Sequence, residues 1–115
     1  MERSAILDEM IEFAMEALLS GEPLRRRRVV RDLAHRWPDE SAHAISFALT
    51  SATALIEDTF RDAANHDPVV PLGYRLSALI SADIHAIQAM GQSPARAGDL
   101  LHFWRRADPG YLDVQ

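Results

Sequence analysis

Two short motifs in this 115-residue sequence combine a carboxylate with an imidazole three residues further along. Glu40 and His43 form an E-x-x-H motif, and Asp99 and His102 form its aspartate analogue. On an α-helix, residues at i and i+3 share one face, as in the di-metal sites of four-helix bundles. Those sites also need carboxylates from partner helices, and each pair lies near the start of its predicted helix, where acids are expected anyway. Metal binding is therefore our third-ranked hypothesis, and no cofactor is predicted.

Catalytic motifs are missing from the sequence. There is no G-x-S-x-G, no glycine-rich phosphate loop and no H-E-x-x-H. The absence of cysteine excludes thiol catalysis, thiolate metal sites and disulfides. Predicted loops are short, which leaves little material for the rim of an active site. We predict that the protein is not an enzyme.

Six arginines lie within residues 24–37, LRRRRVVRDLAHRW, of a chain whose net charge is -5. Successive helical residues are about 100° apart, so the four consecutive arginines do not form one phosphate-binding stripe. Residues 1–20 carry five acids and one arginine, and residues 39–67 carry six acids and one arginine. Packing of the basic helix beside acidic helices is thus our first interpretation. An acidic protein partner that contacts Arg28 and Arg31 is an alternative.

Nucleic-acid binding through Arg25 to Arg31 is the second-ranked hypothesis. Its specific form would be a helix-turn-helix over residues 29–49. There Pro38 takes the place of the usual turn glycine, and the reading helix would begin with Asp39 and Glu40 and hold no basic residue before Arg61. Because DNA carries one negative charge per ~1.7 Å, an acidic recognition helix disfavours this function.

The elements that must position these residues are helices, because apolar residues recur throughout at helical spacing. Ser93-Pro94 is typical of a helix start, with serine as N-cap and proline at the first helical position. We predict a single all-α bundle domain over residues 1–110, followed by a short tail, 111–115. Its five predicted helices span residues 4–20, 23–37, 40–65, 72–90 and 94–107.

The first and third helices have unusual patterns. The first is apolar around more than half its circumference, and a small domain has few helices to cover it. We therefore predict a homodimer interface on this helix, with Met15 and Leu19 as contact residues. The third helix would be ~40 Å long, and a bend is most expected near Thr50–Thr53.

Asp83 interrupts the apolar face of the fourth helix. Ile80 and Ala86 flank it one turn away on either side. A buried carboxylate is costly unless it is paired or hydrogen-bonded. We predict a fixed partner for Asp83: an arginine of the second or fifth helix, His102 or the Trp104 N–H.

The N-terminal sequence, MERSAILDEMIEF, lacks the pattern of a signal peptide, and no apolar run approaches the ~20 residues of a membrane span. We expect a cytoplasmic protein without membrane contact. The predicted function is non-catalytic: protein–protein interaction or regulation through helical surfaces, as a homodimer.

Overall fold

The computed structural model describes residues 2–60 and 69–101, with side chains from residue 5 onward. It contains helices and no strand in these ranges, which confirms the predicted all-α fold. None of the described helices has the length and hydropathy needed to cross a membrane. The helices are α1 (Glu2–Leu19), α2 (Pro23–Arg27), α3 (Val29–Arg36), α4 (Ala42–Thr59) and α5 (Val69–Ala89), followed by a helical segment over residues 97–101.

The second predicted helix is in fact two helices, because the chain leaves helical geometry at Arg28 (φ -92°, ψ 2°). No residue of α2 is buried. In α3, by contrast, Val29, Val30, Leu33 and Ala34 are fully buried. The break lets the arginine-rich half stay at the surface while the apolar half turns into the core. Burial of α3 against the core thus overrides the continuous helical pattern of the sequence.

The third predicted helix is shorter than expected. Ser41 is its N-cap, and the Ser41 hydroxyl accepts a hydrogen bond from the Ala44 N–H at 3.1 Å. The helix ends at Thr59, since Phe60 is no longer helical (φ -118°, ψ 44°). It runs unbroken through Thr50–Thr53, where a bend was expected, and its 18 residues span about 27 Å. Residues 61–65 of the prediction lie outside the described ranges.

The fourth predicted helix begins earlier in the structure, at Val69 and not at residue 72. Pro71 lies in its first turn, where the missing N–H would have had no helical acceptor. The helix ends at Ala89, just before Gly91, whose positive φ of 106° favours glycine.

The final helical segment begins at residue 97, three residues later than Ser93-Pro94 indicated. The Asp99 carboxylate accepts a hydrogen bond from the Arg96 N–H at 2.8 Å, so Asp99 supplies the start signal. The N–H groups of Ala97 and Gly98 donate to the carbonyls of Glu40 (2.7 Å) and Pro38 (3.0 Å). The start of this segment is therefore set by the turn that precedes α4.

The core forms where α4 packs against α1 on one side and α5 on the other. Small residues bring α4 and α5 close together: a Cβ added to Gly73 would overlap the Thr53 side chain. The Thr50 hydroxyl donates to the Ser77 hydroxyl at 2.9 Å, and Tyr74 donates to Glu57 at 3.0 Å. The hydrogen bond to Glu57 is the main reason why the pKa of Tyr74 lies above its ordinary value, and burial raises this pKa further.

Helix α1 is partly covered within the chain. It contacts α2, α3, α4 and α5. Met10, Ala14, Ala17 and Leu18 are buried by these contacts. The remaining apolar residues of α1 are only partly buried, and Leu19 is 44% exposed, so the chain covers one side of this helix and the homodimer through α1 stays a prediction.

Candidate functional site

Two large apolar side chains of α4 face solvent. Phe47 is 54% exposed and Leu55 is 48% exposed. They are eight residues apart, so they lie on the same side of the helix with about 12 Å between them along its axis. Single exposed leucines are ordinary, but two large side chains in one row form a patch.

A row of apolar side chains on α1 begins with Leu7, which lines the same cavity as Phe47. Leu7, Ile11 and Met15 follow each other at four-residue spacing and are half-buried against the core. Leu7 lines the same cavity as Ala44 and Phe47, which shows that the N-terminal halves of α1 and α4 lie side by side. We call these two rows the α1–α4 face; its members are Leu7, Ile11, Met15, Ala44, Phe47, Ser51 and Leu55.

The cavity at one end of the α1–α4 face has a volume of about 390 Å³. Its polar lining comes from the turn before α4 and the first turn of that helix: Asp39, Glu40, Ser41 and His43. The Phe47 ring and Leu7 form its apolar side. An open cavity that combines two carboxylates with an aromatic ring is suited to a cationic side chain.

Acidic side chains occupy the solvent side of α1. Asp8, Glu9, Glu12 and Glu16 are all exposed. Of these, Glu16 forms an ion pair with Arg25, at 3.9 Å. No arginine or lysine occurs between residues 5 and 19 or within α4, so the face is bordered by carboxylates on its α1 side and by no basic side chain of these two ranges.

A second cavity, of about 200 Å³, lies on the other side of these acids. Here the Arg36 guanidinium is 5.6 Å from the centre of the Phe13 ring and 4.9 Å from that of Trp37. Glu9, Glu12 and Glu16 line the same cavity. The chain therefore places one of its own cations between aromatic rings and acids, with about 0.5–1 kcal/mol expected per exposed cation–π contact.

Two residues of the arginine run, Arg25 and Arg26, contact α1. Arg26 Nε donates to the carbonyl of Leu18 at 2.8 Å, which supplies a partner at the C-terminal end of that helix. Arg25 contacts Glu16 of the same helix. Arg28 is exposed and Arg31 is half-buried. These contacts agree with packing of the basic segment beside an acidic helix, and they do not test a partner for Arg28 or Arg31.

The two carboxylate–histidine pairs are not assembled into one site among the described residues. Glu40 is half-buried and His43 is exposed on the first turn of α4. Asp99 caps its helical segment, and His102 lies outside the described residues. Within residues 5–60 and 69–101 no three histidine, aspartate or glutamate side chains are close enough to hold a metal ion.

The structure buries Asp83, which is 1% exposed, as the sequence predicted. Asp83 has an interaction partner, but two of the candidates, His102 and Trp104, lie outside the described residues, so the partner's identity stays a prediction. Of the residues predicted at a dimer interface, Met15 is half-buried against the core and Leu19 is 44% exposed.

Sequence reasoning did not single out Phe47 and Leu55. The core-facing row of α4 contains the buried residues Ile45, Leu49 and Ile56. The signal that could have found the exposed row is the i, i+4, i+8 spacing of Phe47, Ser51 and Leu55 on another side of the same helix.

The chain matches no known protein family, no curated protein and no solved structure.

Proposed function

We propose that this chain is a non-catalytic helical protein that acts by binding another protein chain through the α1–α4 face. The observation that carries the proposal is the exposure of Phe47 and Leu55 on one side of α4. Aromatic and aliphatic side chains held on a rigid helix are typical anchors of protein interfaces. Leu7 of α1 lines the same cavity as Phe47, so the proposed contact surface extends to a second helix.

The proposal does not require self-association. The homodimer through α1 was predicted from that helix's wide apolar circumference, and intramolecular packing buries part of that circumference. We place the protein in the cytoplasm as part of this proposal, because a chain without cysteine suits a reducing compartment.

The test is site-specific photo-crosslinking in cells of the chain's own source. A benzophenone amino acid is placed at Phe47 or Leu55 in full-length protein. Matched controls carry it at Met90, which is 65% exposed, and at Leu24, which is exposed on α2. We expect discrete crosslinked products from positions 47 and 55 and none of the same mass from positions 24 and 90.

Each labelled protein is first shown to unfold at the wild-type urea midpoint, so that misfolding does not create contacts. Identical products from all four positions, or none from positions 47 and 55, would refute a binding function for this face. Mass spectrometry of the product distinguishes a second copy of the chain from a different protein.

A further inference from the structure

We propose that the occupant of the α1–α4 face is a basic amphipathic helix of another protein. Its apolar side would lie on Phe47 and Leu55, and its arginine or lysine side chains would contact the acids beside them. This inference rests on the proposed function, since it names the chemistry of the partner for the same face.

The spacing of the apolar anchors suits a helix. Phe47 and Leu55 are two helical turns apart, about 12 Å. On a partner helix, apolar residues at i and i+7 or i+8 recur at the same distance. One helix lying along α4 can therefore place an apolar side chain beside each anchor, as amphipathic helices do when they bind in grooves.

The charges beside the face favour a cationic partner. On the circumference of α1, Asp8 and Glu12 lie next to Met15, on its solvent side. Among the described residues, Asp8, Glu9 and Glu12 form no ion pair. Asp8 is therefore available to a partner's arginine or lysine side chain. Glu9 and Glu12 line a cavity with Arg36 but keep carboxylate oxygens that no ion pair occupies. Such charge complementarity steers association and selects the partner.

The cavity at the end of the face provides a specific place for one cation. Asp39, Glu40 and Phe47 all line this cavity, and carboxylates and aromatic rings are the groups that attract a cationic side chain. The chain itself uses the same combination elsewhere, where Arg36 lies over Phe13 and Trp37 in a cavity lined by glutamates. An arginine of the partner helix would repeat that arrangement in the cavity.

A second copy of this chain fits the face poorly. In a two-fold dimer the face would contact itself, so the acids of one α1 would oppose those of the other. The basic α2 has only five residues, and its Arg25 and Arg26 already contact α1 of the same chain. Charge therefore points to a different protein.

The probe is a designed, fluorescein-labelled 18-residue peptide with leucines on one helical face and arginines on both flanks. One comparison peptide replaces every arginine with glutamate, and another scrambles the leucine and arginine positions. Binding to the full chain is measured by fluorescence anisotropy. We expect the arginine peptide to have a Kd at least about tenfold below that of either comparison peptide. Its affinity should fall when NaCl is raised from low to high concentration, because exposed charges are screened.

Two variants locate the bound peptide. Phe47→Ala should raise the Kd at least about fivefold, because it removes an anchor. Glu12→Gln should raise the Kd by about 1.5- to 5-fold, because it removes one exposed charge. Met90→Ala and Glu22→Gln are the matched controls, since both residues are exposed and belong to neither α1 nor α4. These controls should leave the Kd unchanged, and circular dichroism checks that every variant is folded.

The outcomes separate this inference from the function on which it rests. A scrambled peptide that binds as well as the amphipathic one, or equal losses in Met90→Ala and Phe47→Ala, would show unspecific charge attraction and overturn it. If the wild-type chain is a dimer and Phe47→Ala dissociates it, the occupant of the face is a second copy of the chain. That result would also overturn the inference of a basic helix from another protein. If position 47 crosslinks to another protein but the arginine peptide does not bind, the partner chemistry is wrong while the proposed function stands. If neither occurs, both are refuted.

Discussion

At the scale of single residues, Gly73 and Thr53 set how closely α4 and α5 approach. A methyl group at Gly73 would overlap the Thr53 side chain, so Gly73→Ala must push the two helices apart. We expect a loss of about 1–3 kcal/mol in the free energy of unfolding, measured by urea denaturation. Gly98→Ala is the control: a Cβ added there would lie 3.4 Å from the Pro38 carbonyl oxygen, which is an ordinary contact, so the stability of this variant should stay near that of wild type. A wild-type midpoint for Gly73→Ala would contradict this packing.

Asp83 is the other residue whose environment predicts a measurable effect. It is almost completely buried and has an interaction partner. Asp83→Ala would leave that partner unsatisfied, so we expect a loss of about 1–3 kcal/mol in the free energy of unfolding. Asp8→Ala, at an exposed position, should change stability by less than about 0.5 kcal/mol. Equal urea midpoints for the two variants would show that burial of Asp83 has no energetic consequence.

At the scale of elements, α2 stabilises the end of α1 through Arg26. Its Nε hydrogen bond to the Leu18 carbonyl supplies a donor where a helix leaves its last carbonyls without partners. Arg26→Met keeps much of the side chain's length but removes the donor and the charge, and should cost about 0.5–1.5 kcal/mol. Arg28→Met is the matched control at an exposed position in the same run. Thermal unfolding by circular dichroism would compare them, and a larger loss for Arg28→Met would disprove this role.

At the scale of the whole molecule, the chain has a net charge of -5. The acids of α1 that form no ion pair, Asp8, Glu9 and Glu12, repel one another. The Debye length falls from about 30 Å at 0.01 M salt to about 3 Å at 1 M. We therefore expect the urea midpoint to rise when NaCl is increased. Glu12→Gln should reduce the size of that rise, whereas Glu22→Gln, away from the acidic row, should reduce it less. Salt-independent stability in the wild type would mean that these charges do not interact.

The sequence by itself determined the features that depend on neighbours along the chain. Helical spacing predicted the all-α class, Pro23 marks the start of α2, and the apolar residues around Asp83 predicted its burial. These features depend on which residues are three or four positions apart, and such residues share one side of any α-helix. Caps such as Ser41 and Gly91 also act within one turn, so residue type largely sets where they occur.

Only the tertiary structure decided which apolar surfaces are covered. The patterns of α1 and α4 are both rich in apolar residues, yet α1 is covered on one side by other helices of the chain while Phe47 and Leu55 of α4 face solvent. The break at Arg28 and the late helix start at residue 97 likewise depend on distant partners: the core beneath Val29 and Val30, and the carbonyls of Pro38 and Glu40. Local spacing defines which side of a helix is apolar, but long-range packing determines whether another helix of the same chain covers it.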